Sequence, residues 1–275
     1  MAYVKPDTVV DQMIQAGAQK SRLPVRDLLV RGFLAGALLG FATTLAFTAS
    51  LQTRVGLVGA LVFPVGFVMI VLLGMELVTG NFAVVPLALL EQRVTVGALM
   101  SNWSWVFIGN LLGAMFYAAL FTLTLSPDAE IAKQLVAVSE AKTLGYAKLA
   151  AHGQVIAVSK AILCNWMVTL GVVMALTSQS TGGKILAMWL PIMTFFAQGF
   201  EHSVVNMFIV PAGILLGAHV SVGDWWLWNQ IPVTLGNLLG GLVFTGLALH
   251  YTHGKPAVRV AGVATAPGLA GDARV

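Results

Sequence analysis

Apolar stretches separated by short polar segments occupy most of this chain of 275 residues. Six of the stretches reach ~20 residues, the length at which an α-helix crosses a lipid bilayer. The predicted spans cover roughly residues 29–51, 57–90, 99–126, 154–177, 185–216 and 227–252, with a loop expected over 127–153. This pattern predicts an all-α membrane protein with six transmembrane helices.

A shorter amphipathic segment precedes the first span. Residues 7–21 predict a helix with Asp7 as its N-cap. One face of this helix is apolar and carries Val9, Val10, Met13 and Ile14. We expect the helix to lie on the membrane surface or against the helix bundle.

These patterns divide the chain into three parts. Residues 1–28 are predicted to form a cytoplasmic N-terminal segment, and residues 29–253 the transmembrane domain. Residues 254–275 are rich in Ala, Gly and Pro, and we expect a disordered cytoplasmic tail there. Lys and Arg cluster in both terminal segments, which predicts that both termini of a protein in the cytoplasmic (inner) membrane face the cytoplasm.

The composition excludes a soluble protein. Hydrophobic residues make up 58% of the chain and charged residues only 9%, whereas soluble domains carry about 25% charged residues. The excess of 15 Lys+Arg over 11 Asp+Glu lies at span ends and in the terminal segments, so it predicts no nucleic-acid partner. The single cysteine, Cys164, excludes an intrachain disulfide.

Spans two and five are too long for one crossing, and both are interrupted in the same way. The interruption GMELVTGNF at 74–82 matches GFEHSVVNMF at 199–208 with one insertion. Spans three and six share the segment GNLLG, at 109–113 and 236–240. Because about 126 residues separate the members of each pair, the chain is predicted to hold two copies of a three-helix unit.

Three helices per copy require the second copy to lie inverted in the membrane. Inverted repeats with paired broken helices indicate a transport pathway near the middle of the bilayer. We expect Asn81 and Ser203 to cap the second half-helices. Two helix N-termini, each carrying about half a positive charge, would then face the centre and favour an anion.

Polar residues inside the interruptions are the first candidates for function. Glu76 and Glu201 occupy equivalent places. Each either contacts the substrate or, the interpretation we favour, accepts hydrogen bonds from the backbone N–H groups of its broken helix. His202 has no equivalent in the first copy, where Leu77 stands, and we expect it to face the pore. Its burial beside a helix N-terminus disfavours the imidazolium form.

Other residues leave alternatives open. Asn165 either lines the pathway or caps a neighbouring helix. Phe63, Phe67 and Phe195 flank the interruptions, where they either pack or form constrictions. The GNLLG segments are expected to allow close helix packing through small residues. The five histidines show neither HExxH spacing nor a cysteine partner, so we expect no metal site and no cofactor.

Three other classes of protein fit the sequence less well. A water or glycerol facilitator would share the inverted repeat, but its twin Asn-Pro-Ala motifs are absent from the sequence. An ammonium channel normally places two histidines in its pore, and only His202 is available. An intramembrane hydrolase would need a third partner beside His202 and Ser203, so we expect no enzyme.

The sequence resembles the formate/nitrite transporter family in segments that extend across nearly the whole six-span region. In chain order they are ELVTGN (76–81), AILCNWMV (161–168), GFEHSVVNMFIVPAG (199–213) and IPVTLGNLLGG (231–241). The resemblance implies an aquaporin-like protomer, assembled in the bilayer as a homopentamer with one pore in each subunit. It also implies passage of small monovalent anions, formate first, with nitrite or hydrosulfide as the alternative substrate.

The resemblance assigns expected roles to individual residues. His202 matches the family's central histidine and Glu201 the glutamate before it. Thr79 matches the threonine of the loop that breaks span two, and Asn165 aligns with the asparagine of span four. The two pore constrictions fall on Phe63, Phe67, Leu77 and Phe195.

The outer mouth of the pore is less well defined. The resemblance implies a lysine there, for which Lys148 is the candidate and Lys142 and Lys160 are rivals. Val78 stands where the family commonly has an aromatic, and Phe67 where leucine is frequent, so both would alter pore width.

Two mechanisms remain open for His202. A proton shared with the histidine would let formate leave as the neutral acid, because desolvation raises the pKa of a carboxylic acid. Alternatively, the anion passes unprotonated and His202 only donates a hydrogen bond to it.

Overall fold

The computed structural model describes residues 3–126 and 128–254. These residues form helices, apart from turns and one isolated antiparallel bridge between Tyr3 and Ser178. Residues 255–275 of the expected tail lie outside the described residues. The helices are α1 (Pro6–Lys20), α2 (Val25–Thr53), α3 (Gly56–Val62), α4 (Pro64–Leu72), α5 (Val78–Leu90), α6 (Val96–Leu123), α7 (Glu130–Lys142), α8 (Leu144–Ala147), α9 (Ala150–Leu176), α10 (Thr181–Ala197), α11 (Ser203–Leu215) and α12 (Val222–His253).

Four of these helices, α2, α6, α9 and α12, are long and apolar enough to cross a membrane. They coincide with predicted spans one, three, four and six. The other two predicted spans are broken. Span two consists of α3, α4 and α5, and span five consists of α10 and α11. Both interruptions therefore lie where the sequence predicts them.

Each interruption begins with a glycine in the left-handed conformation. The φ angle is 64° at Gly74 and 63° at Gly199, a region that residues with a Cβ rarely enter. The next N–H group, of Met75, donates to the carbonyl of Ile70 at 2.9 Å, and the corresponding bond after Gly199 is 3.2 Å. Such bonds close the end of a helix, so the chain leaves the helix in the same way twice.

The second half-helices begin differently from the prediction. The N-caps of α5 and α11 are Leu77 and His202. Asn81 and Ser203 lie within the first turns, so their prediction as caps is wrong. The reason is that side chains from neighbouring helices already accept the first N–H groups. The N–H of Val78 donates to Asn110 Oδ1 at 3.0 Å, and that of Ser203 to Asn237 Oδ1 at 2.8 Å.

The N-terminal helix α1 lies against the bundle. It begins at Pro6, with Asp7 inside the first turn, so the predicted N-cap is wrong. Proline suits the first helical position because the N–H it lacks would have no partner there. A Cβ added at Gly17 would lie 2.1 Å from the carbonyl oxygen of Val84 in α5. The absence of a side chain at this position thus permits close packing of the two helices.

The segment 127–153, predicted as a loop, forms α7 and α8 in its described part, so that prediction is wrong. Ala132, Leu135 and Ser139 form a buried face of α7. That face packs on α11, where a Cβ added at Gly213 would lie 2.3 Å from Ser139 Cβ. The mixed charge and short length of α7 make it unlike a span in sequence. In the structure it covers α11 as α1 covers α5.

The two half-helices α5 and α11 form the centre of the bundle. Residues 78–88 of α5 and 203–213 of α11 are buried on every side. A helix that is apolar all round needs such surroundings. Their N-terminal ends therefore lie in the interior, close to each other.

Candidate functional site

A threonine and a histidine from the two interruptions meet at the centre of the protein. Thr79 Oγ1 lies 3.2 Å from His202 Nε2. Thr79 is fully buried and His202 is 2% exposed. Thr79 occupies the first turn of α5 and His202 caps α11. The contact therefore joins the N-terminal ends of both half-helices.

The second ring nitrogen of His202 fixes the direction of that hydrogen bond. His202 Nδ1 accepts the backbone N–H of Val205 at 3.3 Å, so in the neutral ring the proton is on Nε2. Nε2–H then donates to Thr79 Oγ1. The hydroxyl hydrogen of Thr79 has no acceptor among the described residues. A polar hydrogen is thus available at an otherwise apolar place.

Aromatic rings surround this pair on the α10 side. The Phe195 ring lies 5.7 Å from that of His202, at an interplanar angle of 26°. Phe63 is fully buried and packs edge-on against Phe195 at 5.6 Å and face-on against Phe196 at 4.0 Å. Phe63 thus packs against both Phe195 and its neighbour Phe196.

Two cavities approach the centre from opposite interruptions. The larger, about 280 Å³, is lined by Lys20, Lys184, Phe67 and Leu77, and we name it the Lys20 vestibule. The smaller, about 170 Å³, is lined by Lys142, Phe195 and His202, and we name it the Lys142 vestibule. Of the predicted constriction residues, Phe67 and Leu77 thus line one cavity and Phe195 the other.

The carboxylate of Glu201 is held by side chains. It accepts from Lys142 Nζ at 2.8 Å, Tyr146 Oη at 2.6 Å and Asn206 Nδ2 at 2.7 Å. Burial raises the pKa of Tyr146, so its hydroxyl remains protonated and donates. Glu201 is 1% exposed, and a carboxylate this buried needs such partners.

Glu76, in the other interruption, also pairs with a lysine and an asparagine. It accepts from Lys20 Nζ at 2.8 Å and Asn81 Nδ2 at 2.8 Å. Asn102 accepts from Asn81 at 2.9 Å and donates to the Lys20 carbonyl at 3.1 Å. The expectation that these glutamates accept from backbone N–H groups is therefore wrong, because Asn110 and Asn237 accept those instead. Each glutamate neutralises a lysine and holds its half-helix through an asparagine.

Asn165 holds both halves of the site together. Its Nδ2 donates to the carbonyl of Thr79 at 3.0 Å and to that of Asn237 at 2.6 Å. Its Oδ1 is buried and has no partner among the described residues. These bonds position the backbone that carries Thr79, and the roles of lining the pathway or capping a helix stay predictions.

The three candidate lysines for the outer mouth differ in whether they line a cavity. Lys142, one of the rival residues, lines a vestibule and pairs with Glu201. The first candidate, Lys148, is exposed and is not among the residues lining that cavity. The Lys160 side chain is also outside that lining, although its carbonyl accepts from the Glu201 N–H at 3.4 Å.

Sequence reasoning missed several residues that hold the site. Asn110 and Asn237 lie in the GNLLG segments, which do pack closely: an added Cβ at Gly240 would lie 2.3 Å from a carbonyl oxygen of α9. Their amides donate to the carbonyls of Glu76 and Glu201, both at 2.9 Å. A signal was present, because these asparagines are part of the repeat. The same offset, extended outward, would also have matched Asn102 with Asn229. It does not match Lys20 with Lys142, which correspond only through their bonds to Glu76 and Glu201.

Comparisons with known proteins show which proteins this chain is similar to. The family model described as "Formate/nitrite transporter" matches residues 7–251. A protein of Methanothermobacter thermautotrophicus named "Probable formate transporter" is 41% identical over 256 residues, covering 86% of this chain and 92% of its own length.

Solved structures share the fold. The "FNT family ion channel" superposes with a TM-score of 0.77 at 28% identity, over 89% of this chain and 98% of its own. The "Pentameric formate channel with formate bound" gives a TM-score of 0.69 at 24% identity, over 84% of this chain and 98% of its own. At that identity the second likeness concerns the fold alone.

The fold and the site together define a helical, multi-pass membrane protein of the channel and transporter class. This chain belongs to the formate/nitrite transporter family. The family is one of anion channels and transporters.

Proposed function

We propose that the protein conducts small monovalent anions, with formate as the main substrate. One observation carries the proposal: Thr79 and His202 meet at 3.2 Å between two cavities that each contain a lysine paired with a glutamate. Formate is favoured over nitrite because a relative with 41% identity is named for formate. Nitrite remains the second candidate, through the name of the family.

The vestibules attract the anion. Lys20 and Lys142 place ammonium groups at the two cavities, with 27% and 17% of their side chains exposed. The N-termini of α5 and α11 point to the centre and each adds about half a positive charge. An anion is thus drawn inward from either side, whereas a cation is repelled.

At the contact between Thr79 and His202, hydrogen bonds from the protein replace part of the anion's hydration water. Phe67, Leu77 and Phe195 offer no hydrogen bonds, so an anion passing them loses part of its hydration. The hydroxyl of Thr79 and the Nε2–H of His202 are the polar hydrogens at this point. We infer that they hold the anion briefly while it crosses.

The bonds of His202 support a role as hydrogen-bond donor. A second proton on Nδ1 would remove the acceptor for the Val205 N–H and so weaken the start of α11. We therefore infer that any proton crossing with formate is taken up by the substrate, whose pKa rises on desolvation. Transport would then be linked to protons while the imidazole remains neutral.

We propose six spans for the bilayer arrangement, with broken spans two and five and the two halves inverted. The excess of Lys and Arg in both terminal segments supports cytoplasmic N- and C-termini in the inner membrane. Apolar residues such as Phe41, Leu120 and Leu123 are 55%, 49% and 83% exposed, which supports contact with lipid and neighbouring subunits. Family membership supports a homopentamer.

Reconstituted protein tests the proposal. Formate uptake into proteoliposomes is measured with and without an inward proton gradient, and with nitrite as competitor. We expect uptake that the gradient accelerates and that nitrite inhibits weakly. Absence of formate uptake would contradict the proposal, and a preference for nitrite would establish the second candidate.

A further inference from the structure

The two vestibules differ in charge. Lys20 pairs with Glu76 at 2.8 Å, and Lys142 pairs with Glu201 at 2.8 Å. Each of these lysines is therefore balanced in net charge by one carboxylate, although the lysine and not the glutamate borders the cavity. The Lys20 vestibule contains a second lysine, Lys184, and no carboxylate is among its lining residues.

Lys184 carries a charge for which the described residues supply no counterion. It lies in the first turn of α10 and is half-buried. Within the described residues its side chain makes no ion pair and no hydrogen bond. An unpaired ammonium group beside apolar walls produces a stronger field than one exposed to bulk water.

The charge has no equivalent at the other end of the protein. Val58 of α3 stands 126 residues before Lys184, at the corresponding place in the first half. The Lys142 vestibule is lined by one lysine, and that lysine is paired. The Lys20 vestibule thus has one net positive charge more than the Lys142 vestibule.

We infer that Lys184 captures anions: it binds an incoming small monocarboxylate in the Lys20 vestibule before the anion reaches Phe67 and Leu77. The inference rests on the proposed function and assigns it a further binding residue. Lys184 raises the local concentration of the anion on one side of the pore, the side that we assign to the cytoplasm. This effect is electrostatic, so salt must weaken it, because the Debye length falls from about 30 Å at 0.01 M to about 3 Å at 1 M.

Charge-changing variants of Lys184 test the inference in proteoliposomes. We expect Lys184→Gln to reduce initial formate uptake about fivefold at 0.01 M ionic strength and less than twofold at 0.3 M. Lys184→Arg should retain the uptake rate and its salt dependence. Lys148→Gln, which removes an exposed lysine elsewhere, is the matched control and should resemble the unmodified protein.

Thiol chemistry provides a second readout, which a purely structural role would not change. The only native cysteine, Cys164, is fully buried. Thiol reagents should therefore modify a cysteine introduced at position 184 and leave Cys164 unmodified. In Lys184→Cys, a cationic methanethiosulfonate should restore uptake and an anionic one should lower it further.

Two results would overturn the inference. One is uptake by Lys184→Gln equal to that of the unmodified protein at low ionic strength. The other is an equal response of Lys184→Cys to reagents of opposite charge. Absence of formate uptake by the unmodified protein would overturn the proposed function and this inference with it, so the two failures are distinguishable.

Discussion

Two buried side chains at the centre each make two kinds of contact. His202 caps α11 through Nδ1 and approaches the Thr79 hydroxyl through Nε2. The backbone carbonyl of Thr79 accepts a hydrogen bond from Asn165. The ring and the hydroxyl therefore have little freedom to turn. Such fixed donors in an interior of low dielectric constant interact strongly with an anion.

The hydroxyl of Thr79 is the first residue-scale test. Thr79→Val keeps the shape of the side chain but removes the acceptor for His202 Nε2–H and the donor for the anion. We expect formate flux to fall at least tenfold, since a hydrogen bond to a charged group contributes about 1.5–3 kcal/mol. Thr79→Ser, which keeps the hydroxyl, should stay within about threefold of the unmodified protein. Equal flux in the Val variant would exclude the hydroxyl from the pathway.

Residue identities were easier to predict than their bonds. The sequence indicates His202 and Thr79 because each stands in an interruption that recurs in the chain. It does not indicate that Tyr146 donates to Glu201, because that bond joins residues 55 positions apart through an unpredicted helix. Lys148 is the first candidate for the outer mouth through the family resemblance, whereas the structure places Lys142 at a cavity.

At the scale of elements, each interruption is built from the same parts. A left-handed glycine ends one helix, an asparagine from a neighbouring helix accepts the first N–H of the next, and a lysine–glutamate pair lies beside it. Unpaired backbone groups cost several kcal/mol in a bilayer. The asparagines thus stabilise the interruptions by pairing backbone N–H groups that would otherwise lack an acceptor.

Glycine substitutions test that construction. Gly74→Ala and Gly199→Ala place a Cβ in the left-handed region, although neither position has an atom within 4 Å of the new Cβ. Each should lower the free energy of unfolding by about 1–2 kcal/mol. The measurement is thermal unfolding in detergent, followed through the fluorescence of the 7 tryptophans.

Gly56→Ala is the matched control. Its Cβ would also meet nothing within 4 Å, but its φ is not in the left-handed region. We expect no loss of stability there. Equal unfolding temperatures for all three variants would show that the left-handed glycines are not required.

Helices that could be predicted share one property, a long apolar run. Sequence pattern indicates the four long helices and both interruptions because length and glycine carry that information. It misses α7, whose sequence mixes charge with a narrow apolar face of few residues. Comparison of α7 with α1, by the repeat, would have predicted a helix there.

At the scale of the whole molecule, near-symmetry of the two halves surrounds an asymmetric centre. Lysine, glutamate and asparagine occur in both halves. His202 and Lys184 do not recur, because the equivalent positions of the first half hold Leu77 and Val58. The repeated residues hold the fold. The unrepeated ones lie where the anion is proposed to pass.

Formate flux through His202→Phe tests the central claim most directly. Phenylalanine can keep the ring stacked on Phe195 but removes both the Nε2–H donor and the Nδ1 cap of α11. His152→Phe, at an exposed histidine, is the control. Stopped-flow measurement in proteoliposomes should show flux abolished in His202→Phe and unchanged in His152→Phe. Full formate flux in a correctly folded His202→Phe protein would contradict passage of the anion between Thr79 and His202.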